Sequence, residues 1–153
     1  MRILIVKLGA MGDVIHALPA VAALRRGYPA SHITWVVDPK WAPLLDANPH
    51  VNQVIQLNRR ELASVRSTAA SLRAETFELA VDFQGLIKSG LVARASGARQ
   101  RWGFVDAELR EAMAGMFYTN RAAAPSAHIV DKNLDLALAA GAAFVDAEAR
   151  EFA

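Results

Sequence analysis

The chain has 153 residues, of which 54 % are hydrophobic and 21 % are charged, a balance typical of one globular domain and not of a disordered segment. It contains no cysteine, which excludes disulfide bridges and thiolate metal ligands and favours a reducing cytoplasm. The formal net charge is only +2, no apolar run reaches the length of a membrane span, and no small-residue cleavage site follows an apolar stretch of signal-peptide length. We therefore expect a cytoplasmic domain.

Strand-like and helix-like segments alternate along the sequence. Short apolar runs predict strands at residues 2–6, 33–37 and 79–83, and a nearly alternating pattern predicts one at residues 51–57. A fifth strand is expected at residues 100–104. Apolar residues at helical spacing predict helices at residues 13–26, 41–47, 61–74, 86–95 and 128–140, the last one ending at Gly141. Residues 113–126 show no clear pattern. The alternation predicts an α/β fold with a doubly wound, mainly parallel, Rossmann-like sheet.

Two features of the first helix bear on the site. Gly9 and Gly12 allow a tight turn between the first strand and this helix, and Asp13 stands where the helix begins. The glycine spacing fits neither of the two common nucleotide-binding fingerprints, which disfavours a nucleotide-binding Rossmann domain. Pro19 predicts either a kink or a separate first turn, because it removes a backbone donor inside the helix.

The residues that follow the strands should meet at one edge of a parallel sheet, where α/β folds place their chemistry. That edge would gather residues 7–13, 38–41, 58–60, 84–85, Lys88 and 105–106. A carboxylate such as Asp13 among several cations suits an anionic substrate whose hydroxyl loses a proton. Residues 83–105 carry four basic residues and no acid, which favours either an anionic ligand or a solvated surface.

Single residues leave alternatives open at this point. Asp13 is either a general base or a helix N-cap, and a helix N-terminus would weaken it as a base. Arg59 and Arg60 either clamp an anion or are plain surface charge. His16 is either a second titrating group or a half-buried structural histidine. His32, His50 and His128 lack metal-ligand spacing with any acid, so no metal site is predicted. The tryptophans do not interleave with the basic residues, so nucleic-acid binding is not predicted either.

Four stretches carry a resemblance to a known family. They are MRILIVK at residues 1–7 with MGDVIHALPA at 11–20, WVVD at 35–38, DFQGLIKS at 82–89 and FYTNR at 117–121. In this order they resemble the bacterial lipopolysaccharide heptosyltransferases, glycosyltransferase family 9, most nearly its type I members. The resemblance covers about residues 1–140.

The resemblance implies an organisation that the residues alone do not. Members have the GT-B arrangement, in which two Rossmann-like domains face each other across a cleft. The N-terminal domain binds the Kdo-lipid A inner core as acceptor, and the C-terminal domain binds the ADP-heptose donor. Residues 1–141 would then be the acceptor domain, and residues 142–153 a tail or the start of a linker. The donor domain would be absent, so we expect this chain alone to transfer no sugar.

The resemblance also implies roles for individual residues. Asp13 would be the general base of an inverting transfer that needs neither metal nor cofactor. The acceptor-binding residues would be Gly12, Arg59, Arg60, Gln84, Lys88 and Arg121. The lipid acceptor implies peripheral contact with the cytoplasmic face of the inner membrane. Two alternatives remain open: a related transferase with another acceptor, such as the type II heptosyltransferases, and a non-catalytic module that binds an anionic glycolipid.

Overall fold

The computed structural model describes residues 1–143 and Phe152, and it is an α/β fold built on six parallel strands. The predicted tail at residues 142–153 lies, apart from Ala142, Ala143 and Phe152, outside the described residues. The strands are β1 (Arg2–Val6), β2 (His32–Val37), β3 (Gln53–Gln56), β4 (Leu79–Asp82), β5 (Gln100–Phe104) and β6 (Asn120–Ala122). The helices are α1 (Met11–Gly27), α2 (Leu62–Ala74), α3 (Ile87–Ala95) and α4 (Ile129–Ala139), with 3₁₀ segments at Ala42–Leu45, Asp106–Glu108 and Ala112–Phe117.

The strand order is β3-β2-β1-β4-β5-β6, which confirms the predicted doubly wound sheet. The chain moves outward from β1 through β2 to β3, then returns to β4 on the other side of β1 and continues to β6. Ile5 pairs with Trp35 on one side and with Val81 on the other. The loops that follow β1 and β4 therefore separate at a topological switch point, which is where open α/β sheets form a ligand crevice.

Helices cover both faces of the sheet. On one face, α1 and α4 pack over Ile3, Ile5 and Trp35, and on the other, α2 and α3 pack over Leu4 and Val6. These central strand residues are fully buried, which is why the sequence of β1 is a continuous apolar run and not an alternating one. Two packed faces hold the central strands rigid and fix the positions of the loops that leave them. None of the helices in the described residues is both long and apolar enough to cross a bilayer.

The structure differs from the sequence-based prediction at two places. Residues 113–126, which show no pattern, contain a 3₁₀ segment and the edge strand β6. The separate first turn before Pro19 is wrong, because α1 is one helix from Met11 to Gly27 with Pro19 inside it. Eight of its residues besides Pro19 are buried, so packing offsets the one backbone hydrogen bond that proline removes. Gly141 ends α4 as predicted, with a φ of +106° that favours glycine.

Candidate functional site

Asp13 lies in the first turn of α1, at the carboxyl edge of the sheet. The N-cap interpretation is wrong in its position, since Ala10 is the N-cap and Asp13 is the third helical residue. Its Oδ2 accepts a hydrogen bond from the backbone N–H of Ala10 at 3.2 Å and another from Arg110 at 2.9 Å. The side chain is 26 % exposed. The carboxylate thus accepts a backbone hydrogen bond at the N-terminus of α1 and remains partly exposed to solvent.

Two cations govern the charge state of Asp13. Partial burial would raise the pKa of Asp13, but the charge of Lys7 and the charge and hydrogen bond of Arg110 outweigh it. The hydrogen bond from Ala10 acts in the same direction, so the pKa lies below its ordinary value. In this arrangement Asp13 is ionised and weakly basic. Arg110 was not among the residues singled out from the sequence.

Lys7 is the buried cation of the site. It is 2 % exposed, and its Nζ donates to the backbone carbonyl of Phe83 at 3.1 Å. Burial lowers the pKa of Lys7 to about 8, a shift that the charges of Asp13 and Asp82 oppose and the charge of Arg110 assists. The sequence placed Lys7 at this edge but assigned it no role. A lysine that directly follows a fully buried strand was the available signal.

Gln84 joins the two loops at the switch point. Its side chain is buried, and its Oε1 accepts hydrogen bonds from the backbone N–H groups of Leu8 at 3.0 Å and Gly9 at 3.3 Å. The amide oxygen is therefore already used to fix the loop that leads to Gly12 and Asp13. Gln84 therefore positions the loop between β1 and α1. Its predicted contact with an acceptor stays a prediction.

A buried carboxylate supports the same loop. Asp82 ends β4 with no exposed surface, and it accepts hydrogen bonds from the backbone N–H of Gln84 at 2.9 Å and from Ser89 Oγ at 2.8 Å. The Tyr118 hydroxyl donates to the same oxygen as Ser89. Burial raises the pKa of Asp82, although these hydrogen bonds oppose the shift. Two of the resemblance motifs, at residues 82–89 and 117–121, thus meet in one polar network.

The cations that follow β3 line an open cleft, as the strand-end argument predicts. The cleft has a volume of about 470 Å³ and is lined by Asp38, Pro39, Lys40, Trp41, Asn58, Arg59 and Arg60. Lys88, from the first turn of α3, donates to the backbone carbonyl of Arg59 at 2.8 Å. The structure therefore brings Arg59, Arg60 and Lys88 together. Their predicted contact with an acceptor stays a prediction.

A strap, defined as residues 105–117, crosses the carboxyl edge and carries Arg110 to Asp13. It is anchored by Glu111, whose N–H donates to the Gly85 carbonyl at 3.0 Å and whose Oε1 accepts from the Ile87 N–H at 3.0 Å. Arg121 holds the strap: it pairs with Asp106 at 3.3 Å and donates to the Gly115 carbonyl at 2.8 Å. The side chain of Arg121 is thus engaged with the strap, and its predicted acceptor contact remains a prediction.

Two further expectations concern Gly12 and His16. Gly12 is exposed, and a Cβ added there would meet no atom within 4 Å, so the space above it is open to a ligand. His16 is half-buried and its ring lies edge-on to that of His128, with centroids 6.3 Å apart. Among the described residues, no three His, Asp or Glu side chains are arranged to hold a metal ion.

Comparison with known proteins points to one family. The model of glycosyltransferase family 9 (heptosyltransferase) matches residues 65–152. Lipopolysaccharide heptosyltransferase 1 of Escherichia coli K12 is 29 % identical over 147 residues, covering 89 % of this chain and 46 % of that protein. The Pseudomonas aeruginosa protein of the same name is 33 % identical, covering 89 % and 41 %.

Solved structures agree with these relatives. The E. coli heptosyltransferase WaaC with ADP superimposes with a TM-score of 0.88 at 28 % identity, covering all of this chain and 51 % of that one. E. coli ADP-heptose lps heptosyltransferase II gives a TM-score of 0.75 at 26 % identity, covering 90 % and 40 %. The chain thus spans about half the length of the relatives it matches.

Proposed function

The chain belongs to glycosyltransferase family 9, the heptosyltransferases, and on that premise we propose that it is the N-terminal, acceptor-binding domain of an inverting heptosyltransferase of lipopolysaccharide core biosynthesis. The observation that carries this proposal is the position of Asp13. An ionised, partly exposed carboxylate lies at the switch point of the sheet, within reach of solvent and close to two cations, Lys7 and Arg110. A base at the carboxyl edge suits a substrate that enters the crevice there.

The acceptor that fits the cations is the Kdo-lipid A inner core, which carries carboxylate and phosphate groups. Arg59 and Arg60 line the open cleft, and Lys88 is bonded to the backbone beside them. Guanidinium groups bind carboxylates and phosphates through paired hydrogen bonds, so this cleft suits the anionic groups of the acceptor. The same proposal puts the domain in the cytoplasm, at the cytoplasmic face of the inner membrane, where a lipid-anchored acceptor is presented.

In the proposed reaction, Asp13 accepts the proton of a Kdo hydroxyl. The resulting oxygen nucleophile attacks the anomeric carbon of ADP-heptose, the bond from that carbon to the diphosphate oxygen breaks, and ADP leaves with inversion. No metal is required. The donor binds the second domain, so residues 1–153 by themselves bind acceptor without transferring sugar.

The test is an Asp13→Asn exchange in a two-domain enzyme that contains this chain. We expect turnover of ADP-heptose to collapse by at least a hundredfold, in line with the loss of a general base, while acceptor binding largely survives. Asp46→Asn is the matched control, because Asp46 is an exposed aspartate that does not line the cleft of Arg59 and Arg60. Full turnover in Asp13→Asn would overturn the assignment of the base. A wild-type enzyme that binds acceptor and never turns over would indicate a binding module instead.

A further inference from the structure

We propose that Arg110 masks the base in the free domain and that the anionic acceptor draws its guanidinium away from Asp13, so that acceptor binding itself activates the carboxylate. This inference rests on the proposed function and deepens it. It makes the Asp13–Arg110 contact a device that keeps the base weak until the substrate with the reacting hydroxyl has arrived. Arg110 would then be a positioning residue that acts through Asp13.

The geometry of the ion pair leaves Arg110 available to a ligand. Its side chain is 55 % exposed, and within the described residues it makes one hydrogen bond, from a terminal nitrogen to Asp13 Oδ2 at 2.9 Å. A guanidinium has five N–H donors, so most of them remain for an incoming anion. Exposed ion pairs are weak in water, and a paired contact with a ligand carboxylate or phosphate competes well with a single one.

Release of Arg110 requires motion of the side chain alone. Its backbone lies against Gly85, since a Cβ added at Gly85 would stand 3.4 Å from the Arg110 nitrogen. The next residue, Glu111, is hydrogen-bonded to the backbone of Gly85 and of Ile87. With the backbone anchored, only the flexible side chain has to turn away from Asp13. The neighbouring residue Glu111 lines an opening of about 450 Å³ together with Arg59 and Lys88.

Lys7 keeps Asp13 ionised after Arg110 leaves. It is buried and fixed to the Phe83 carbonyl, so an acceptor in the crevice does not displace it. Among the described residues, two charged groups shift the pKa of Asp13: Lys7, from the loop after β1, and Arg110, from the strap. The charge of Asp82 raises the pKa of Lys7. Loss of one cation of the two raises the pKa of Asp13 from its depressed value, and the retained cation holds the carboxylate charged at neutral pH.

The acceptor's own negative charge would also raise the pKa of Asp13, so the experiment must separate the two causes. The pKa is measured from the ¹³C signal of the Asp13 carboxyl in the 153-residue chain, with and without a soluble Kdo-bearing acceptor. The measurement is repeated in Arg110→Gln. Arg66→Gln is the matched control, because Arg66 is an exposed arginine on α2, outside the residues that line the site.

We expect acceptor to raise the pKa of Asp13 in the wild-type chain and in Arg66→Gln. In Arg110→Gln the pKa should be raised already without acceptor, and acceptor should change it less. A readout that needs no variant is the ¹⁵N–¹H signal of the Arg110 guanidinium, which should shift as acceptor binds.

Three results would overturn the inference. Arg110→Gln could leave the pKa of Asp13 at its wild-type value, or acceptor could raise it as much in Arg110→Gln as in the wild type, which would assign the effect to the ligand's charge. Acceptor could also bind while the Asp13 and Arg110 signals stay unchanged. Each of these leaves the proposed function standing. Absence of acceptor binding to the wild-type chain would overturn the proposed function, and the inference with it.

Discussion

Replacing Tyr118 by phenylalanine removes one hydroxyl from the network around Asp82 and leaves the ring in place. The hydroxyl donates to a carboxylate that has no exposed surface, and the Tyr118 ring covers Gly103 so closely that a Cβ there would overlap it. Because the ring stays, the change isolates the hydrogen bond. A hydrogen bond to a charged group contributes about 1.5–3 kcal/mol, and we expect the free energy of unfolding to fall by that amount at a pH where Asp82 is ionised.

Tyr28→Phe is the matched control. The Tyr28 hydroxyl donates at 2.8 Å to the backbone carbonyl of Ala140, a neutral acceptor, so its loss should cost about 0.5–1.5 kcal/mol. Both variants are compared with the wild type by urea denaturation. An equal cost for Tyr118→Phe and Tyr28→Phe at every pH would refute the argument that the hydroxyl of Tyr118 stabilises the charged form of Asp82.

The cost of Tyr118→Phe should also depend on pH. Burial raises the pKa of Asp82 above its ordinary value of 3.8, and loss of a donor to the charged form raises it further. Below that pKa the carboxyl is protonated and the lost bond is a neutral one, so the cost of the exchange is smaller. The cost should therefore grow as the pH rises through the range above 3.8. A cost that stays constant between acid and neutral pH would contradict this reasoning.

Three further predictions use the same denaturation assay, and the first also measures acceptor binding. Gly12 lies in a helix with open space around it, so Gly12→Ala should leave the free energy of unfolding unchanged or raise it by up to about 1 kcal/mol. Acceptor binding should weaken, and unchanged binding would contradict a contact between Gly12 and the acceptor. Gly85→Ala should cost about 1–3 kcal/mol, because the φ of Gly85 is +73° and the new Cβ would lie 3.2 Å from Leu109; a neutral exchange would show that the strap does not depend on Gly85. The pKa of Lys7 is about 8 in the folded chain against its ordinary value of 10.5, so the unfolded chain binds the proton more readily between these two pH values. The free energy of unfolding of the wild type should therefore rise by up to about 3 kcal/mol as the pH rises from about 8 to 10.5. Lys7→Met should lack this rise, and a rise retained in Lys7→Met would assign it to another group.

The central sheet was predictable because burial on both faces leaves a simple pattern. Since helices alternate with them, the apolar runs of β1, β2 and β4 indicate parallel strands that are buried on both faces. The edge strand β6 was not predictable, since its three residues Asn120–Ala122 are held by backbone pairing with β5 and show neither alternation nor an apolar run. The location of such an edge strand depends on tertiary contacts and not on local sequence.

The candidate site divides in the same way. Arg59, Arg60 and Lys88 follow from strand ends alone, because parallel strands bring their carboxyl ends to one edge. Arg110 does not follow, since 97 residues separate it from Asp13 and the path of the strap sets the contact. Likewise the bond from Tyr118 to Asp82 joins residues 36 apart in sequence. Contacts made by irregular segments carry no periodicity from which they can be derived.

The most direct test of the central claim is a chemical-shift titration of the 153-residue chain with a soluble Kdo-bearing acceptor, with ADP as the comparison ligand. The account predicts shifts around Gly12 and Asp13, at Arg59 and Arg60, and at Arg110 with the Kdo ligand, and none with ADP. A response to ADP at these residues, or to neither ligand, would contradict the assignment of this chain as the acceptor-binding domain.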